Sequence, residues 1–176
     1  MEREALAKAI YETAHLQGNF KLRSGQTSHH YFDKYLFESN PRLLAEIAER
    51  LMPLVPAGTE ILAGLEMGGI PIATALSLKT GIPIVFVRKK AKEYGTCKLA
   101  EGADIAGKKV CVIEDVVTTG GQILISANDL KKYGAEISTV MSVIERDPLG
   151  RSNLETAGFT YISLFKIGEL LQAETM

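Results

Sequence analysis

Little in this chain points to metal, disulfide or membrane chemistry. Its two cysteines, Cys97 and Cys111, have neither metal-ligand spacing nor the pattern of a disulfide framework. Cys111 lies in an apolar run and reads as a small core residue; Cys97 falls in a polar, glycine-containing loop and reads as an exposed thiol. The three histidines, His15, His29 and His30, are not spaced as a cluster, so no zinc site is expected. No apolar run approaches membrane-spanning length, and the acidic, amphipathic N-terminus is no secretory signal, so a cytoplasmic protein without membrane contact is expected. Neither sign of charge dominates: 20 Lys and Arg face 21 Asp and Glu, a net charge of -1. That balance argues against a general nucleic-acid binder. Dinucleotide fingerprints, internal repeats, low-complexity segments and domain-scale linkers are all missing. Residues 102–109 begin like a nucleotide P-loop, but Lys109 replaces the required Ser or Thr and the segment leads into a strand, not a helix.

What remains is an ordinary globular composition, 46% hydrophobic and 23% charged over 176 residues, enough for one domain with a substantial core. Its centre is a stretch that opens with an apolar run at residues 110–113, short enough and apolar enough for a strand buried on both faces. Glu114-Asp115-Val116-Val117-Thr118-Thr119-Gly120-Gly121-Gln122 follows, and residues 122–133 read as a helix closed by Gly134. In an open parallel sheet, ligands bind beyond the carboxyl ends of the strands. Hydroxyls and glycine amides at a helix N-terminus suit a phosphate, because free N–H groups and the helix dipole both favour an anion. Adjacent acids suit the cis-diol of a ribose, or a divalent cation held by oxygen. The combined expectation is a ribose-5-phosphate site.

The rest of the chain supplies strands and helices around that centre. An amphipathic helix is expected over residues 4–16, stopped by Gly18, followed by an edge hairpin in which Phe20 and Leu22 alternate and Tyr31 and Phe32 resume the apolar pattern. Asn40 and Pro41 open a helix with Leu43, Leu44, Ile47, Ala48 and Leu51 as its buried stripe. Buried strands are expected at 61–65, 82–87, 136–144 and 161–165. Helical segments are expected from 71 to about 79, as a short turn at 154–157, and at 167–172. Glu66-Met67-Gly68-Gly69 leaves the first buried strand, and its paired glycines let backbone amides approach a ligand. Between 88 and 98 the chain places Arg88, Lys89, Lys90, Lys92 and Lys98 where a strand exits on the ligand side, which favours a polyanion site. The whole segment to about residue 107 is as long as mobile lids are. Arg146, in Glu145-Arg146-Asp147, exits at the same end, and on residue chemistry alone it reads as a salt-bridged surface arginine.

Residues 114–122 resemble the phosphoribosyl-pyrophosphate (PRPP) signature of type I phosphoribosyltransferases. Residues 20–33, the basic run at 88–98 and Arg146 narrow the resemblance to the orotate phosphoribosyltransferases, over nearly the whole chain. The resemblance implies an α/β fold: a single-domain, Rossmann-like parallel sheet flanked by helices, with a small N-terminal hood at about 18–37 and a mobile catalytic loop at about 88–107. It also implies transfer of phosphoribosyl from PRPP to N1 of orotate in de novo pyrimidine biosynthesis, with Mg²⁺ carried on PRPP and a homodimer that shares its active sites. Glu114 to Gln122 would hold the ribose and 5'-phosphate, and Glu66, Met67, Gly68 and Gly69 would form the pyrophosphate loop. Arg88, Lys89, Lys92 and Tyr94 would meet PRPP from the mobile loop. Orotate would be met by Arg23, Tyr31, Phe32, Thr118 and Arg146. Lys92, Lys89, Arg88 and Asp115 are the expected catalytic groups, Asp115 as a candidate base. Three positions depart from many relatives: Arg23 and Gly68 stand where others have Lys, and Tyr94 where others have His. A purine phosphoribosyltransferase, a non-catalytic PRPP-sensing regulator and an unrelated flavodoxin-like binding domain are the alternatives.

Overall fold

The computed structural model describes residues 1–22, 25–94 and 98–173. Helix α1 (Arg3–Ala14) leads into the antiparallel hairpin β1 (His15–Lys21) and β2 (Thr27–Phe32). The expected helix end at residue 16 is overruled by pairing: His15 lies opposite Phe32 and Leu16 opposite Tyr31, so the chain turns extended two residues early. A helix not anticipated from sequence, α2 (Lys34–Glu38), follows at once, capped by the Asp33 carboxylate accepting from Tyr35 N–H at 3.1 Å. In α3 (Pro41–Leu51) Asn40 accepts from the N–H groups of Arg42 and Leu43 at 3.1 and 3.3 Å, with Pro41 in the first turn, where its missing N–H costs nothing.

The main sheet is built from β3 (Ile61–Leu65), β4 (Ile84–Val87), β5 (Ala100–Gly102), β6 (Lys109–Val117), β7 (Glu136–Glu145) and β8 (Thr160–Lys166), in the order β5-β4-β3-β6-β7-β8. All neighbours are parallel except β5, which pairs antiparallel with β4 at the edge. Between the strands run α4 (Gly69–Thr80), α5 (Gly121–Lys132) and α6 (Pro148–Thr156), and α7 (Ile167–Ala173) closes the described chain. Strand alternation divides the core in two. Leu62, Cys111, Ile113 and Met141 face α1, α3, α4 and α7, while Ile61, Ala63, Val110, Val112 and Val140 face α5 and α6. Each large aliphatic side chain fully enclosed this way contributes roughly 1.5–3 kcal/mol. Cys111 is a core thiol as expected, and burial pushes it up to about 12.

Four features differ from expectation in ways that shape the site. Strand β6 does not stop at Ile113 but runs to Val117, because β7 continues to pair with it as far as Val117 opposite Glu145. The acid pair is therefore inside a strand. Helix α4 begins at Gly69, ahead of Pro71, and α6 begins at Pro148, well ahead of the expected turn. Finally, the segment 88–107 is not one loop. Its far part returns as β5, anchored by the buried side chains of Leu99 and Ile105.

The chain turns one way out of β3, to β4, and the other way out of β6, to β7. The carboxyl ends of β3 and β6 therefore flank the topological switch point, where open parallel sheets bind ligands.

Candidate active site

Two loops leave the sheet at this switch point. The first runs from β3 through Glu66, Met67 and Gly68 into α4, with the Glu66–Met67 peptide cis. Both glycines are demanded by contact with β6. A Cβ on Gly69 would lie 2.4 Å from Ile113 O, and one on Gly68 1.7 Å from Asp115 Oδ2 and 2.9 Å from Glu38 Oε1. The side chain of Met67 points outward, 65% exposed.

The second loop joins β6 to α5. Thr118 and Thr119 are exposed, Gly120 takes φ +75°, and Leu124 N–H donates to Gly120 O at 3.0 Å. The positive φ lets the chain turn from strand to helix within one residue, which a side chain would oppose. Helix α5 thus starts with first-turn N–H groups that have no partner within the helix, Gly121 N–H donating at 3.5 Å to Thr119 Oγ1, beside two hydroxyls, a cradle suited to an anion. Gln122 points along the helix, its Nε2 donating to Ser126 Oγ at 3.2 Å. Helix α6 and the residues that lead into it brace the turn from behind. Asn153 Nδ2 donates to Thr119 O at 2.9 Å, Arg146 N–H donates to Val117 O at 2.8 Å, and a Cβ on Gly150 would fall 2.5 Å from Thr118 O.

Beneath both loops is a carboxyl cluster that the sequence shows only in part. Asp115 is 1% exposed and pairs through Oδ2 with Lys34 Nζ at 2.5 Å, while Oδ1 accepts from Val116 N–H at 2.5 Å. Glu114, half-buried, bends back so that Oε1 accepts from Asp115 N–H at 3.0 Å. Glu38, from α2, is buried against the same group. Burial pushes Asp115 upward, but hydrogen bonds with Glu114, Glu38 and Lys34 outweigh it and hold Asp115 below its usual value. Burial, then the hydrogen bond and charge of Asp115, push Glu38 up to about 9; burial, then Asp115, also raise Glu114 well above the carboxylate range. Within the cluster Asp115 is thus the group held towards its charged form, and Glu38 and Glu114 are held towards their protonated forms. Burial works against the Lys34 ammonium, yet Asp115 raises it.

The basic run forms an arm extending β4 and β5. Arg88 N–H donates to Leu99 O at 2.9 Å, and Lys89 N–H to Glu66 Oε1, which ties the arm to the first loop. Glu101 on β5 gathers Lys92 at 2.9 Å and Arg88 at 3.9 Å. Tyr94 is 76% exposed, with Lys92 Nζ 5.8 Å from its ring centre.

On the hood side, Phe32 and Arg146 border one cavity. Its volume is about 390 Å³, and Tyr11, His15, His30, Ile167 and Leu171 line it with them. Tyr31 does not join them: strand alternation turns it to the opposite face of β2, where it stacks on Phe20 with ring centres 5.4 Å apart. Arg146 is exposed and has no ion pair among the described residues; Arg151 takes that role with Glu145. Arg23 and Cys97 lie outside the described residues.

Sequence reasoning missed Lys34, Glu38, Glu101, Gly150 and Asn153. Only α2 left a readable trace, in Asp33 as an N-cap before an apolar residue pair; the others act through contacts distant in sequence. The donor set does not suit a Mg²⁺ held directly by protein. Lys34 and a backbone N–H occupy the oxygens of Asp115, and no cluster of three His, Cys, Asp or Glu side chains able to hold a metal exists among the described residues.

A phosphate cradle, adjacent strand acids and a basic arm around one switch point define a class of phosphoribosyl-transferring proteins, and a family profile for the phosphoribosyl transferase domain matches residues 37–165. The chain belongs to the phosphoribosyltransferase family. Within it, the chain is 52% identical over 153 residues to an orotate phosphoribosyltransferase of Nocardioides sp., covering 87% of this chain and 86% of that protein. It is 39% identical over 175 residues to the orotate phosphoribosyltransferase of Pyrococcus abyssi, covering 97% and 96%. The crystal structure of Mycobacterium tuberculosis orotate phosphoribosyltransferase in complex with inorganic phosphate superposes with a TM-score of 0.86 at 27% identity, covering 96% of this chain and 97% of that one.

Proposed function

We propose that this chain is an orotate phosphoribosyltransferase: it transfers the 5-phosphoribosyl group of PRPP to N1 of orotate, releasing pyrophosphate and forming orotidine 5'-monophosphate for pyrimidine nucleotide synthesis. The observation that carries the reading is the exit of β6, where acids, hydroxyls and a helix N-terminus meet at the switch point. The 5'-phosphate binds at residues 118–122 and the ribose hydroxyls face the acid pair. As the bond from C1 to pyrophosphate stretches, C1 gains oxocarbenium character and negative charge grows on the leaving group. Lys89 and Lys92, with Arg88 in support, neutralise that charge from the arm, while Glu66 to Gly69 shape the pyrophosphate side. Phe32, Arg146 and Thr118 hold the base in line with C1, where orientation contributes a large share of the acceleration.

Asp115 serves as an anchor, not as a proton acceptor. Its charge is stabilised by Lys34 and both its oxygens are engaged, so it is a weak base. The resemblance supports Mg²⁺ carried on the pyrophosphate, where such ions keep water and phosphate ligands. It also supports a homodimer in which the arm reaches the neighbouring site, and a cytoplasmic setting; no described helix is long and apolar enough to cross a membrane.

Pyrophosphate release is the test, measured with PRPP and Mg²⁺ against orotate, uracil, adenine, guanine and xanthine. Orotate should be used far ahead of the others. Preference for a purine would overturn the substrate and leave the reaction class standing. Retained PRPP binding without turnover on any base would favour a sensor.

A further inference from the structure

Lys34 opens α2, two residues beyond Phe32, and reaches from the hood to the buried carboxylate of β6. The Asp115 side chain is 1% exposed and that of Lys34 34%, so the acid is enclosed while the ammonium keeps one side towards solvent. Residue 68 faces the same oxygen. A Cβ there would stand 1.7 Å from Asp115 Oδ2, so the first loop has no room to deliver a side chain to this acid while it keeps its place. The cation comes from α2 instead. Glu38, one turn along the same helix, is buried close by, its Oε1 and Asp115 Oδ2 both bordering the space a Cβ on Gly68 would fill.

We infer that Lys34 is a positioning residue of the phosphoribosyl site. It holds Asp115, whose backbone N–H in turn carries the Glu114 carboxyl, so that Glu114, the half-buried acid of the pair, keeps the orientation that receives the ribose hydroxyls. This rests on the function proposed above. Because Lys34 belongs to the hood segment, one short stretch of chain carries both a wall of the base cavity, Phe32, and the clamp on the sugar acids. A ribose bound equally well before and at the transition state would lose affinity without losing turnover when the clamp is removed.

Calorimetric binding of ribose 5-phosphate and steady-state pyrophosphate release test this together. Lys34→Met should weaken ribose 5-phosphate binding and raise KM for PRPP about tenfold, the scale of one charge-assisted hydrogen bond, with kcat within about threefold and KM for orotate unchanged. Lys34→Arg should recover most of the loss. Asp115→Asn with Lys34→Met should bind no more weakly than Asp115→Asn alone, because Lys34 acts through that carboxylate. If Lys34→Met strands a buried charge and unfolds, this last comparison still decides, since the double variant leaves no unpaired charge. Unchanged binding in Lys34→Met, losses that multiply in the double variant, or an equal fall in every parameter would each overturn the assignment. Wild-type protein that binds ribose 5-phosphate but never turns over orotate would defeat the proposed function and leave Lys34 testable by binding. Wild-type protein that binds no ribose 5-phosphate would overturn both.

Discussion

Arg151 holds Glu145 in a forked ion pair: Nη2 lies 2.6 Å from Oε2, and Nε 3.1 Å from each carboxylate oxygen. The guanidinium also stacks on Tyr161, 4.7 Å from the ring centre. Glu145 ends β7 and Arg151 belongs to α6, so the pair fixes the helix that braces the turn at residues 118–120, and among the described residues Arg146 makes no ion pair. Truncation by Arg151→Ala strands Glu145, which is 5% exposed. It should cost about 2 kcal/mol and lower the melting temperature by about 4–8 °C. Scanning calorimetry checks this, and an unchanged melting temperature would show that the pair adds nothing. Arg151 holds the Glu145 carboxyl below its usual value, so this contribution is present above the unfolded pKa and lost as pH falls through the folded one.

Gly150→Ala should injure ligand binding more than folding. The new methyl would meet Thr118 O at 2.5 Å and Val117 Cγ1 at 2.7 Å, and backbone on the phosphate turn is the part able to give way. KM for PRPP should rise at least about tenfold while far-UV circular dichroism stays the same, since a misplacement of about 1 Å is costly at such a site. Wild-type KM in this variant would argue that the turn does not carry the phosphate.

Glu38 gives a pH signature with the opposite sign to Glu145. Its pKa in the folded protein is pushed up to about 9, so the folded chain keeps a proton that the unfolded chain releases in the ordinary carboxylate range. The associated stability is complete below the unfolded pKa and disappears as pH climbs through about 9. Thermal melts from about pH 6 to about pH 9 should show wild-type protein losing stability and Glu38→Gln losing less. Parallel curves would mean that Glu38 is already ionised near neutrality.

Lys92→Ala should reduce turnover about a hundredfold while PRPP affinity changes by less than about threefold, because the arm acts on charge that develops only as the leaving group departs. Glu101→Gln provides the companion. It removes the carboxylate that gathers Lys92 and Arg88, and should raise KM for PRPP with a smaller effect on kcat. Turnover unchanged in Lys92→Ala would remove this lysine from the chemistry.

The parallel strands, the helix begun by Asn40 and Pro41, and the acid-hydroxyl-glycine motif were legible in the residues themselves. Buried runs, caps and the strand-turn-helix sequence at 110–133 are encoded within a few consecutive positions, and they determine that acids, hydroxyls and a helix start stand together beside β6. Tertiary structure decided what those residues meet. It set the three residues of β5 by pairing with β4 and the five residues of α2 by docking on the core, both too short for local preference to specify. It carried β6 four residues beyond Ile113 by pairing with β7, which buried Asp115. It placed Tyr31 and Phe32 on opposite faces and brought Lys34 to Asp115 from far along the chain. These contacts depend on strand register and packing between distant segments, and neither is written in the spacing of neighbouring residues.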